Sequence, residues 1–307
     1  MQNIRYAYMN HWKNIPYKSI ANFREFYYQD KSNTAYYSDW DNLLKYQKAL
    51  GFDGIEVAPW DLADILPLFG SADAFRQFAE ERGVVITGMF HGAHASHDKA
   101  KFDEVLQAGK QAVDTIAGFG GTQMNTCPTD NYCGIGPLSR EEVAQCANVM
   151  NEIGRYATDH GIKLGLHNEF FCGINLSDHR EFIELTDPRF VHYCIDTAQI
   201  SIMGEDLLDF YDTYAERISG FHLKDTADIN QPDSVRFSRD PEIQDDGKRW
   251  FWELGQGVLD FPALYKLLKK HQYKGWITLE TDGSPDYLAS MAMCRYYIDK
   301  ELNPIYR

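Results

Sequence analysis

The chain has no apolar run approaching the ~18 residues that a membrane-spanning helix needs, so no helical membrane anchor is expected. Its opening, MQNIRYAYMNHW, lacks a basic segment followed by an apolar stretch, so no secretory leader is expected either. Basic residues are in deficit, with 30 Lys and Arg against 45 Asp and Glu and a net charge of −15. Proteins that grip phosphate backbones need the opposite balance, which argues against nucleic acid or an anionic membrane as partner. The six cysteines (Cys127, Cys133, Cys146, Cys172, Cys194 and Cys294) form no CxxC pair and no compact framework. They read as reduced thiols of a cytoplasmic protein. The segment YMNHWKNIPY lacks the Gly-rich phosphate loop that a doubly wound nucleotide-binding sheet carries after its first strand.

A repeated unit is present instead: a short apolar run, a polar or Gly-containing turn, then an amphipathic helix. The runs are RYAYMNHW, DGIEVAPW, VVITGMFH, GTQMNTCP, KLGLHNEF, FVHYCIDT, ISGFHLKD and WITLETDG. Between them DNLLKYQKALGF, ADAFRQFAEERG, REEVAQCANVMNEIGRYATDHG and FPALYKLLKKHQYKG carry apolar residues at helical spacing and stop at or near Gly. The pattern predicts an α/β fold, a single (β/α)₈ TIM barrel over residues 1–307. Two connections exceed the usual ~2–6 residues of a βα loop, roughly 12–38 after the first strand and 226–257 after the seventh. Both are rich in aromatic residues, and both are expected over the C-terminal mouth, where they cover a site or meet another subunit.

Four successive late runs end in a metal-binding side chain: Glu169, Asp196, His222 and Glu280. One strand-end carboxylate or imidazole is ordinarily a loop cap or an ion-pair partner. A barrel, however, gathers successive strand ends onto one rim, so four of them predict a single divalent-metal site. Three carboxylates and one imidazole suit Mn²⁺, with Co²⁺, Mg²⁺ or Zn²⁺ tolerated. His167 stands two residues before Glu169 and, by strand periodicity, faces the same way. An imidazole titrates near neutrality, so His167 is a candidate general base, or else a group that orients Glu169. Glu56, His91, His94, Gln199, Lys224, Trp12 and Trp60 are candidate substrate contacts, each with an ordinary packing role as the alternative. Asp225 is expected to cap the loop that follows it.

With Glu, Asp, His and Glu on strands five to eight, HLKD on strand seven and LGQG before strand eight, the chain resembles the sugar phosphate isomerase/epimerase family of xylose-isomerase-like barrels. That group includes ketose 3-epimerases and inosose dehydratases. The resemblance implies that Glu169, Asp196, His222 and Glu280 bind Mn²⁺ or a similar ion. It implies proton abstraction beside the carbonyl of a keto sugar or keto glycoside, with Glu169 and Glu280 as possible acid and base. Ketose 3-epimerases typically place a His three residues after the strand-six Asp, where this chain has Gln199. Together with His167, that departure is closer to the larger subunit of C-glycoside deglycosidases. This narrower resemblance implies cleavage of a 3-oxo-C-glycoside, a small second subunit and an oligomer. An apurinic endonuclease-like enzyme would want more metal ligands and a basic groove. A non-catalytic sugar-binding barrel would hold no metal.

Overall fold

The computed structural model describes residues 3–9, 34–167, 169–243 and 248–307. Eight parallel strands close into a barrel in chain order: β1 (Ile4–Met9), β2 (Gly54–Val57), β3 (Val85–Gly92), β4 (Gln123–Cys127), β5 (Lys163–Leu166), β6 (Val191–Asp196), β7 (Ile218–Leu223) and β8 (Gly275–Leu279). Closure is made by β1, which pairs with β2 through Ala7 opposite Gly54 and with β8 through Tyr6 opposite Ile277. The expected TIM barrel is therefore the fold. All eight runs became strands because each is covered on one face by helices and on the other by the barrel interior, so the outward-facing residues are mostly apolar and the inward-facing ones are buried as well.

Helices α1 (Thr34–Ala49), α2 (Pro59–Phe69), α3 (Ala72–Glu81), α4 (Phe102–Gly118), α5 (Arg140–Asp159), α6 (Leu176–Leu185), α7 (Thr197–Ile202), α8 (Leu207–Tyr214), α9 (Phe261–Lys270) and α10 (Tyr287–Tyr297) lie between and after the strands. Their starts follow local chemistry. Ser139 and Glu142 form a reciprocal capping box on α5, satisfying two backbone donors at 3.2 and 2.7 Å. Gly70, at φ 78°, ends α2 in the left-handed conformation that an L side chain resists.

The apolar core lies between the strands and these helices, where Tyr8, Ile55, Leu164, Tyr193, Phe221 and Ile277 meet Phe75, Val113, Met150, Phe210 and Leu264. Each such side chain contributes about 1.5–3 kcal/mol by leaving water. The inside of the barrel is different, being polar and knitted together by hydrogen bonds. Gln123 Nε2 donates to Asn125 Oδ1 at 2.9 Å, Asn125 Nδ2 donates to Glu56 Oε1 at 2.8 Å, and Thr278 Oγ1 donates to Glu56 Oε2 at 3.2 Å. Gly220 makes room for this network, since a Cβ there would collide with the Gln123 amide.

The second long connection contains a turn of helix over Asp233–Arg236 and rejoins the barrel through an Asp225–Trp252 bridge. It does cover the mouth: Trp250 packs on Phe170 with ring centroids 4.9 Å apart, and the Phe251 ring lies 4.4 Å from Lys224 Nζ. Most of the first long connection lies outside the described residues, and Trp12 with it.

Candidate metal and sugar site

Asp196 ends β6 and begins α7, and one oxygen serves each purpose. Oδ1 accepts the Ala198 and Gln199 amides at 3.1 and 3.0 Å, capping the helix. Oδ2 is left facing the barrel axis, 3.1 Å from Lys224 Nζ and 3.3 Å from His167 Nε2. Burial opposes a charge on this carboxyl, but Lys224 and His167 outweigh it, and the group is held below the usual range.

His222, on β7, is gripped from both sides. Nδ1 lies 2.7 Å from Glu280 Oε2, and Nε2 lies 3.0 Å from Glu56 Oε2. Burial disfavours a charged ring, yet the two carboxylates prevail and raise its pKa well above the ordinary value. Lys224, two residues on, is buried with its ammonium 3.1 Å from Asp196, 2.9 Å from Glu280 and 2.7 Å from Asp282. The same balance keeps it charged: burial lowers its pKa, and Asp196, Asp282 and Glu280 raise it further than burial lowers it.

The groups that converge most tightly among the described residues are His167, Asp196, His222 and Glu280, with one ligand atom from each lying within 4.8 Å of the others. Three of these belong to the set expected from sequence. The fourth is His167, which directly follows β5 and was expected as a base rather than a ligand. Glu169 stands just outside, its Oε1 3.9 Å from His167 Nδ1 and its side chain 20% exposed. Burial, the dominant influence, pushes its pKa up to about 7 against the pull of His167 and Lys224. Neither ring nitrogen of buried His167 makes a well-aligned hydrogen bond with a described residue.

His167, Glu169, His222 and Glu280 line a cavity of about 280 Å³. His167, Glu169, His222, Glu280 and Asp282 are on its polar side; Met9, Trp60, Phe90 and Tyr287 are on its apolar side. Trp60 is thus placed at the cavity, as a first-turn residue of α2 rather than a strand end. The other described substrate-contact candidates, Glu56, His91, His94, Gln199 and Lys224, do not line it. Glu56 is 2% exposed and bonded beneath His222. Gln199 Oε1 accepts the Phe170 amide at 3.0 Å, so it anchors the turn after β5. His91 and His94 are not among the residues lining the cavity; His94 Nδ1 pairs with Asp130 at 2.7 Å. Asp225 receives the amides of Thr226, Gly255, Gly257 and Leu259 at 2.9–3.2 Å, so it caps both its own loop and the LGQG segment.

Sequence reasoning missed Asp282, although it follows Glu280 at the strand period and that signal could have found it. Asn125 and Phe90 carried no such signal, because an amide or a phenyl ring in a buried run has no chemistry that marks it.

Residues 44–297 match the family described as xylose isomerase-like TIM barrel. An inosose dehydratase of Bacillus velezensis is 28% identical over 177 residues, 54% of this chain and 56% of that protein. The chain thus spans about half the length of the curated relatives it matches. Among solved structures, an L-ribulose 3-epimerase superposes with a TM-score of 0.68 at 17% identity, over 87% of this chain and 90% of that one. The IOLI protein with a binding zinc atom gives 0.67 at 17% identity, over 86% and 91%. At those identities the likeness is one of fold.

Proposed function

The chain belongs to the xylose isomerase-like TIM barrel family, and from that premise we propose a divalent-metal-dependent lyase or isomerase acting on a keto sugar or keto glycoside. The observation that carries this reading is the convergence of His167, Asp196, His222 and Glu280 within 4.8 Å, three of which (His167, His222 and Glu280) line the cavity. These residues fit a metal. A buried imidazole with no well-aligned hydrogen bond is costly unless a ligand draws on it, and His167 is such a group. Two imidazoles and two carboxylates would hold Zn²⁺, Co²⁺ or Mn²⁺ in preference to Mg²⁺. A bound ion there supplies Lewis-acid polarisation of a carbonyl oxygen. The zinc-bearing IOLI structure and the inosose dehydratase relatives are consistent with both parts of the reading.

The chain's own groups divide the remaining work. Glu169 reaches the cavity with its Oε1 3.9 Å from His167 Nδ1, which places its carboxylate to take up a proton from a substrate held there. This keeps the acid–base role that the resemblance implied for Glu169 and moves His167 from base to ligand. Lys224 holds Asp196, Glu280 and Asp282 in place and sets a positive charge near developing negative charge. The apolar wall of Met9, Trp60, Phe90 and Tyr287 favours a substrate with an aromatic or flat apolar part, as in a 3-oxo-C-glycoside. A second subunit and an oligomer belong to that narrower reading.

The test begins with elemental analysis of purified protein, which is expected to show about one divalent ion per chain. His167→Ala should lose the ion. Glu169→Gln should keep it while losing roughly 10²–10⁴ in exchange of the substrate's α-proton with solvent deuterium. The reverse pair of results would return the ligand role to Glu169 and the base role to His167. Protein without any ion, active in strong chelator, would sink the metal reading. Assays of an inosose, a ketose and a 3-oxo-C-glycoside separate the substrates, and light scattering with and without a small-subunit candidate tests the assembly.

A further inference from the structure

Cys127 ends β4, and Cys172 lies in the turn that follows Glu169. Their sulfurs are 2.9 Å apart, and both residues are buried. The two segments are already joined by backbone bonds. Tyr132 donates to the Phe171 carbonyl at 2.7 Å, Gly173 donates to that of Asp130 at 2.9 Å, and Asn131 bridges Cys172. Within the turn, the Cys172 amide donates to the Glu169 carbonyl at 3.0 Å. The cysteines' neighbours thus hold them face to face. Cys146 and Cys294 are engaged differently, by the Ser96 hydroxyl and the Leu254 amide.

We propose that Cys127 and Cys172 are a redox modification site, closing to a disulfide when the protein meets a peroxide. One thiol takes an oxygen from hydrogen peroxide, becoming a sulfenic acid and releasing water. The second thiol displaces the hydroxyl from that sulfur, forming the S–S bond and releasing a second water. Two thiols lose two hydrogens and two electrons, and the peroxide O–O bond accepts them. A disulfide needs about 2.05 Å between sulfurs, so they approach by roughly 0.9 Å. The motion draws the turn bearing Glu169 towards β4, and a displacement of about 1 Å at a reacting group can cost on the order of 10² in rate. The disulfide is therefore a clamp that stabilises the barrel while slowing it. This consequence for rate rests on the role proposed for Glu169, whereas the cross-link does not.

The experiment uses the full chain, purified under reductant, freed of it and exposed to hydrogen peroxide. Intact mass should fall by two hydrogens, free thiols should fall from six to four, and peptide mapping should join Cys127 to Cys172. The unfolding midpoint should rise by about 5 °C, and both changes should reverse with reductant. Deuterium exchange should slow about tenfold or more in the wild type and stay unchanged in Cys127→Ser and Cys172→Ser. A cross-link elsewhere or six surviving thiols would overturn the proposal, and a Cys127–Cys172 disulfide with unaltered exchange rate would overturn only the rate consequence. A protein that forms the cross-link but binds no metal would overturn the proposed function and leave the redox site standing.

Discussion

The two sides of the barrel mouth are built from opposite chemistry. Strands β1 and β3, with the start of α2, bring Met9, Phe90 and Trp60 to the cavity; the ends of β5 to β8 bring His167, Glu169, His222, Glu280 and Asp282. The second group is locked by charge, with His222 between two carboxylates and Lys224 among three. The first packs through apolar contacts, as in the edge contact of Phe90 with His167 at 5.4 Å. One half can fix where a reaction happens while the other varies what fits, because the two share no salt bridge. Altering the charged half should remove the chemistry, and altering the apolar half should only retune it.

The largest effect is expected from His222→Ala, which removes a proposed ligand and leaves Glu56 and Glu280 facing an empty space. Bound metal should vanish and activity with it, as read by elemental analysis and deuterium exchange. Normal metal content in this variant would break the comparison at its root.

Next is Asp225→Ala, which deprives four backbone amides of their acceptor and should cost about 2–4 kcal/mol in urea denaturation. If stability holds and only activity falls, Asp225 belongs to the chemistry rather than to its frame. Trp60→Ala should be milder, raising KM about 3- to 10-fold with metal content unchanged. Loss of metal here would show that the halves are coupled.

The smallest effect concerns His179, which is buried outside the site with its Nε2 on the Tyr193 hydroxyl at 3.0 Å. Burial first, and Arg180 second, lower its pKa to about 3, so it folds neutral. Below about pH 6.5 the unfolded chain takes up a proton that the folded one refuses until about pH 3. Its stabilising contribution is therefore whole above about pH 6.5 and is lost as the pH falls towards 3. His91, lowered to about 4 by burial, adds in the same direction. Stability should drop by roughly 1–2 kcal/mol between pH 7 and pH 5 on account of His179, and His179→Gln should drop less. An equal drop in both would assign the acid sensitivity to other groups.

The strands were legible because the apolar residues that face the helices recur along each run between Gly- or polar-containing turns. The helices were legible because one buried face writes the 3.6-residue spacing, as in REEVAQCANVMNEIGRYATD. Asp196, His222 and Glu280 were legible for a related reason: each sits at or just past the end of its strand, where alternation and barrel geometry still decide direction. Glu169 shows where that inference stops. The run KLGLHNEF reads as one strand, but pairing ends at Leu166. Beyond it, the Glu169–Cys172 turn and the Gln199 contact with Phe170 redirect the chain, so both His167 and Glu169 still reach the cavity, but the strand period does not say which stands nearer its centre.

The sequence by itself determined the barrel, the four strands that carry the polar site and the order in which they meet. Both kinds of pattern are local, since a residue's periodic place depends on its own neighbours. Only the tertiary structure decided that Glu56 lies beneath His222, that His167 stands nearer the centre than Glu169, and that Cys127 faces Cys172. Those placements depend on chain segments separated by tens of residues or more, and no local pattern records a distance between elements that only packing brings together.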